Sequence, residues 1–204
     1  MTDFIHRFIP APDPDSRTTL LLLHGTGGNE DDLLPLGESL LPGAAILSPR
    51  GKVLERGMPR FFRRIAEGVF DIEDLKFRTH ELAQFIEDAR SHYQIEGSIV
   101  AAGYSNGANI AASLLLLHPG LLAAAALFRV MVPFVPDTSP DLKGTKTLLA
   151  AGRQDPIIPP SGTLQLSEIL KTAGADVSIH WHNGGHELGQ DDIYAAQAWF
   201  KETF

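Results

Sequence analysis

The chain has no cysteine among its 204 residues. That absence removes disulfide scaffolds, thiolate metal sites, iron–sulfur clusters and cysteine nucleophiles together. An excess of positive charge is missing as well. Asp and Glu number 25 against 17 Lys and Arg, a formal charge of −8, whereas phosphate backbones are held by clustered cations. Nucleic acid is excluded as a partner. The first ten residues lack the basic, apolar, small-residue order of a secretory signal. No apolar run crosses a bilayer's width unbroken: positions 110–128 come nearest, and His118-Pro119-Gly120 cuts them into a helix and a strand. Repeats, low-complexity tracts and linker-like shifts in composition are also missing. A cytoplasmic protein with one domain over 1–204 is expected.

What is present is an alternation of elements. At 44% apolar and 21% charged residues the chain is globular rather than disordered. Continuous apolar runs at 18–24, 44–47, 98–103, 123–132 and 147–151 read as strands buried on both faces, and 177–182 alternates as a strand nearer a sheet edge does. Between them, Leu75, Leu82, Phe85, Ile86, Ala89 and Tyr93 form the apolar stripe of a long helix. Positions 107–118 are almost wholly apolar, as in a helix covered all round, Ser161 can cap a helix that ends at Gly174, and Ile193, Ala196, Trp199 and Phe200 give a last helix its packing face. Strands alternating with helices predict an α/β fold, a mostly parallel sheet covered on both sides.

Gly103-Tyr104-Ser105-Asn106-Gly107 carries the most information. It fits Gly-x-Ser-x-Gly, with a buried strand before it and a buried helix after it. A strand that becomes a helix within one residue crowds the backbone, so both flanking positions shrink to glycine and the serine oxygen projects at the carboxyl end of the sheet. A glycine-rich turn with a capping serine is the plain alternative. Upstream, Leu23-His24-Gly25-Thr26-Gly27-Gly28 follows the first buried strand. A serine hydrolase needs backbone N–H groups fixed before the oxyanion develops, each worth about 3 kcal/mol. The amides of Asn106 and Thr26 are the two candidates. A nucleotide loop is excluded, since Glu30 stands where the dinucleotide fingerprint needs its third glycine.

Downstream, the strand at 147–151 runs into Gly152-Arg-Gln-Asp155-Pro, and Asn183-Gly-Gly-His186 precedes the last helix. Serine, then acid, then histidine is the chain order of α/β-hydrolase triads. In that reading Ser105 attacks, His186 carries the proton, and Asp155 orients the imidazole and stabilises its charged form. Asp155 before proline also suits a plain turn. His180 and His182 share a strand face and with His186 suggest three imidazole ligands, but nothing else marks a metal site, and none is expected. His24 reads as a brace of its glycine loop. Asp191 and Asp192 read as first-turn helix residues.

The segment 48–74 is too long for a tight link. Met58, Phe61, Phe62 and Phe70 lie there beside Arg60, Arg63 and Arg64, either as a partial cover whose aromatics form an acyl pocket or as plain packing with arginines paired to Glu67, Asp71, Glu73 and Asp74. Met131 and Phe134, in a second apolar and proline-rich segment, are further pocket candidates.

LHGTGG, SPRG…RFFRR…FD, GYSNGAN, AGRQDPIIP and GGHEL stand in the order and spacing of one family. The sequence resembles the bacterial carboxylesterases of the phospholipase/carboxylesterase branch of α/β-hydrolases. Within that branch it is most similar to small hydrolases often encoded beside hydroquinone-cleaving dioxygenases, with acyl-protein thioesterases more distant. The resemblance spans almost the whole chain. It implies a fold with minimal or no lid and no cofactor, with Ser105, Asp155 and His186 as triad and Thr26 and Asn106 as oxyanion amides. It further implies short-chain esters as small-molecule substrates, and a homodimer. One departure is Arg129-Val-Met, at the pocket rim, where relatives often carry Arg-Pro-Met. Dienelactone hydrolases, a related group, use a cysteine nucleophile, which this chain lacks. The expected function is a serine carboxylesterase acting through an acyl-enzyme. An acyl thioesterase or lysophospholipase-type hydrolase, or a non-catalytic binder on the same fold, is the alternative.

Overall fold

A computed structural model describes residues 3–13 and 15–204. Met1, Thr2 and Pro14 lie outside the described residues. In chain order the elements are β1 (His6–Ile9), β2 (Thr18–Leu23), α1 (Leu34–Leu40), β3 (Ala45–Pro49), β4 (Val53–Glu55), β5 (Met58–Arg60), β6 (Arg64–Ala66) and β7 (Val69–Phe70). There follow α2 (Ile72–His92), β8 (Ser98–Tyr104), α3 (Asn106–Leu117), β9 (Ala124–Phe128), β10 (Lys146–Gly152), α4 (Pro160–Thr172), β11 (Asp176–His182) and α5 (Gln190–Thr203).

Seven strands form one sheet in the order β1-β3-β2-β8-β9-β10-β11. β1 pairs antiparallel with β3, and the other pairings are parallel. The leucine run of β2 serves both faces: Leu21 and Leu23 enter the core beneath α2, α3 and α4, and Leu20 and Leu22 the one beneath α1 and α5. Phe85, Leu75 and Leu82 of α2 are wholly buried in the first core, each worth about 1.5–3 kcal/mol relative to exposure. Thr79 of α2 donates to Ser113 of α3 at 2.8 Å, so this polar pair is satisfied where it is buried. Among the described residues no helix is long and apolar enough to cross a membrane.

Three expectations need correcting. The strand expected over 123–132 stops at Phe128, because Arg129 takes a positive φ of 56° and turns the chain off the sheet. Ser161 does not cap α4; Pro159 does, with proline at the first helical turn where a missing N–H costs nothing. The segment 48–74 is not an irregular loop but two small antiparallel hairpins, β4–β5 and β6–β7. α1 is a further element that periodicity did not announce.

Candidate active site

The nucleophile candidate sits where the fold is tightest. β8 ends at Tyr104 and α3 begins at Asn106, leaving Ser105 alone at φ 52°, ψ −112°, a conformation that costs a non-glycine residue about 1–3 kcal/mol. The strain is held by neighbours: Ser105 N–H donates to the Phe128 carbonyl at 2.9 Å, and its own carbonyl accepts from Asn109 N–H at 3.0 Å. Glycine on either side is obligatory. A Cβ at Gly103 would stand 2.7 Å from the Gly107 carbonyl oxygen, and one at Gly107 would overlap the carbonyl of Leu23.

Two other strand ends converge on this turn. From the end of β10, the Asp155 carboxylate accepts from the N–H groups of Ile157 and Ile158 at 2.8 and 3.0 Å through Oδ1. Its Oδ2 faces His186 Nδ1 at 2.8 Å. His186 Nε2 lies 3.0 Å from Ser105 Oγ. A carboxylate only accepts, so Nδ1 carries the imidazole proton and Nε2 is left to accept from the serine hydroxyl. This arrangement can draw a proton off Ser105 and hold the resulting imidazolium against a buried negative charge.

The turn that carries His186 is fixed by residues the sequence did not single out. Tyr104 donates its hydroxyl to the His186 carbonyl at 3.1 Å. The Arg129 guanidinium donates to the carbonyls on either side, Gly185 at 3.0 Å and Glu187 at 2.7 Å, and to Ala150 at 3.0 Å. Arg129 also forms a bidentate pair with Asp192 of α5, at 3.1 and 2.6 Å, both side chains wholly buried. Burial pushes the Asp192 carboxyl up, but the Arg129 hydrogen bonds, the Gly189 N–H and the guanidinium charge together hold it below its usual range. Gly152 clears the space, since a Cβ there would collide with the Gly185 carbonyl oxygen. A signal existed in the sequence: a lone cation interrupting the apolar run 123–132.

The glycine loop after β2 forms the opposite side. His24 Nε2 accepts from Gly51 N–H at 2.9 Å, so Nδ1 holds the proton and donates to the Gly25 carbonyl at 2.7 Å. Burial lowers the His24 pKa, which keeps the ring neutral in this bracing role. Gly27 N–H donates to the Pro59 carbonyl at 2.9 Å, and Arg60 Nη1 donates to Thr26 Oγ1 at 2.7 Å. Thr26 and Asn106 both line the cavity above Ser105. Asn106 opens α3, where a first-turn N–H has no acceptor one turn back.

The cavity is about 50 Å³ and is also lined by Arg60, Arg64, Glu67, Phe70, Asn109, Met131, Ile157 and Ile158. Of the pocket candidates, Phe70 and Met131 reach it and the others do not. Phe61 and Phe62 turn inward to the core, where Phe61 packs on the His24 ring with centroids 4.7 Å apart. Met58 lies against Gly27 outside the cavity, and Phe134 packs on the core with Lys76 over its ring. The arginines pair chiefly with a residue not anticipated, Glu55, which meets Arg60 and Arg64; Arg63 meets Asp71 and Asp74. Among the described residues no cluster of three His, Asp or Glu side chains is placed to hold a metal ion. His180 instead lies 3.8 Å from Asp192.

Comparison with known proteins places the chain among hydrolases. The family model described as the dienelactone hydrolase family matches residues 62–194. The hydrolase MhqD of Bacillus subtilis is 48% identical over 189 residues, 92% of this chain and 94% of that protein. The crystal structure of the Bacillus cereus carboxylesterase superposes with a TM-score of 0.94 at 48% identity, covering 97% of this chain and 93% of the other. The structure of YahD with malic acid superposes at 0.92 and 30% identity over all of both chains.

Proposed function

This chain belongs to the dienelactone hydrolase family, within the α/β-hydrolases, and we propose that it is a serine carboxylesterase acting on small carboxylic esters through an acyl-enzyme. One observation carries the reading: Ser105, His186 and Asp155 hydrogen-bond in series at 3.0 and 2.8 Å although 81 and 31 positions separate them. A family whose name belongs to cysteine enzymes here has no cysteine to use, and the hydroxyl at the strained turn takes the nucleophile's place.

The steps follow from the geometry. Ser105 Oγ attacks the ester carbonyl carbon while its proton passes to His186 Nε2. The carbonyl π electrons move onto oxygen, and the N–H groups of Thr26 and Asn106 meet the oxyanion. Collapse breaks the bond to the alcohol, which leaves with the proton from Nε2. Water then attacks the acyl-enzyme, its proton passes to Nε2 and on to Ser105 Oγ, and the carboxylic acid departs. Asp155 holds the tautomer throughout and offsets the imidazolium charge.

Malic acid, present in the YahD structure, is a small carboxylic acid, which supports small carboxylic esters as the substrate class here. The decisive measurement is fluorophosphonate labelling of Ser105 alongside turnover of p-nitrophenyl acetate. Ser105→Ala and His186→Ala should each lower turnover by more than about 10³-fold, and Asp155→Asn by about 10⁴-fold, with circular dichroism unchanged. A folded protein that neither labels nor turns over would be a binder, and the enzyme reading would end there.

A further inference from the structure

The cavity wall opposite His186 carries charge that the ester chemistry has no use for. Arg60, at the end of β5, is 3% exposed and yet lines the cavity above Ser105. Arg64, on β6, lines it beside Arg60. One carboxylate serves both guanidinium groups: Glu55 meets Arg64 Nε at 3.0 and 3.1 Å and Arg60 Nη1 at 3.3 Å. Two cations share one anion at the cavity wall, and the deeper cation is the less solvated. Burial, and then the charge of Arg64, push the Arg60 guanidinium below its ordinary range, with Glu55 restoring part. Asn106, 2% exposed, lines the same cavity, and its buried Nδ2 has no hydrogen-bond partner while Oδ1 accepts from Phe61 N–H at 2.7 Å. A buried donor without an acceptor costs about 1–3 kcal/mol, and such a donor beside a cavity invites an acceptor from a ligand.

Arg60, Arg64 and the unpartnered Asn106 Nδ2 form a donor-rich wall, and among the described residues Glu55 is the one carboxylate in ion-pair contact with its two cations. We infer that Arg60 and Arg64 recognise a carboxylate on the substrate, so that the preferred esters are monoesters of small dicarboxylic acids, with the free carboxylate on the β5–β6 wall and the ester carbonyl at Ser105. Guanidinium groups suit this task because their planar donors match a carboxylate. The inference rests on the serine-hydrolase reading and deepens it. Glu67, exposed at the β6–β7 turn, also lines the cavity and carries opposite charge. Exposed to water it is screened more strongly than the buried Arg60, so it weakens the preference without reversing it.

The test compares kcat/KM for monomethyl succinate and dimethyl succinate by proton release in a pH-stat. The wild type should favour the monoanion at least tenfold. Arg64→Gln should lower that ratio at least tenfold, and Glu67→Gln should raise it. Arg60→Lys keeps the buried charge but loses the fork, so it too should lower the ratio; being charge-conserving, it guards against simple misfolding of a neutral variant. An independent readout is protection: succinate, and not succinamide, should slow fluorophosphonate labelling of Ser105. A wild-type ratio at or below one, a ratio unmoved in Arg64→Gln, or equal protection by succinamide would overturn the carboxylate subsite. Labelling and dimethyl succinate turnover that persist in those cases would leave the esterase standing, whereas their absence in the wild type would end both.

Discussion

The two walls of the cleft are built on opposite terms. The His186 turn is tied at three consecutive carbonyls by Tyr104 and Arg129, and Arg129 is anchored by a carboxylate from which water is wholly excluded. The other wall is two hairpins of two or three residues per strand, joined by the Glu55–Arg64 ion pair, whose side chains are 31% and 28% exposed. Buried, bidentate donors fix geometry at the cost of desolvation, while exposed pairs contribute little and yield easily. In the proposed mechanism, the difference places the tighter ties where a proton must move over fractions of an ångström, and the looser ones on the wall that the substrate meets.

Breaking the rigid wall should give the largest effect. Arg129→Ala leaves the Asp192 carboxylate buried and unpaired, which destabilises by about 3–5 kcal/mol, and frees the carbonyls of Gly185 and Glu187. Urea denaturation should register the first consequence and kcat the second. The double variant Arg129→Met/Asp192→Leu separates them. Replacing both charges by apolar groups should recover most of the stability, while kcat stays depressed because the histidine turn has still lost its ties. Recovery of kcat along with stability would reduce Arg129 to a purely structural role.

Acid should sharpen the contrast at a smaller scale. The Asp192 carboxyl is held below its ordinary value in the folded protein, so the unfolded chain takes up its proton first as pH falls. The stability it contributes is complete above the unfolded pKa of about 3.9 and disappears as pH drops through the lower folded value. Glu55 is held low in the same direction, first by its hydrogen bond to Arg64. A stability profile between pH 5 and 2.5 should therefore flatten in Asp192→Asn at both low and high salt. In Glu55→Gln it should flatten chiefly at low salt, since ions screen this partly exposed carboxylate more than the buried one.

How much of this the sequence discloses follows the same division. Ser105 and its glycines are legible because the steric demand is local, and Asp155 and His186 because each ends a strand on the same rim. Arg129 and Asp192 are legible only in part: the cation interrupts the run read as a strand over 123–132, but the two pair across 63 positions, and Asp192 reads locally as an acid in a first helical turn. The hairpins escape notice because strands this short have no period to detect. Phe61 and Phe62 share composition with pocket aromatics, and only the turn of β5 toward Asn106 decides that they face the core. α1 is masked by Pro35 and Gly37 in a seven-residue helix.

The smallest effect should come from Arg63, three residues beyond the pocket-lining Arg60 and its counterpart in solvent. Its side chain is 61% exposed, and it meets Asp71 and Asp74 at 3.1 and 3.6 Å. Neither partner depends on it: Asp71 accepts from Asp74 N–H at the start of α2, and Asp74 accepts from the Arg63 backbone N–H, which any residue supplies. Arg63→Ala therefore removes only the screened charge interaction. The urea midpoint should stay where it is, and the ratio of monomethyl to dimethyl succinate turnover should not move. A drop in that ratio comparable with Arg64→Gln would mean that the selectivity belongs to the general positive field of the hairpins rather than to the guanidinium groups that line the cavity.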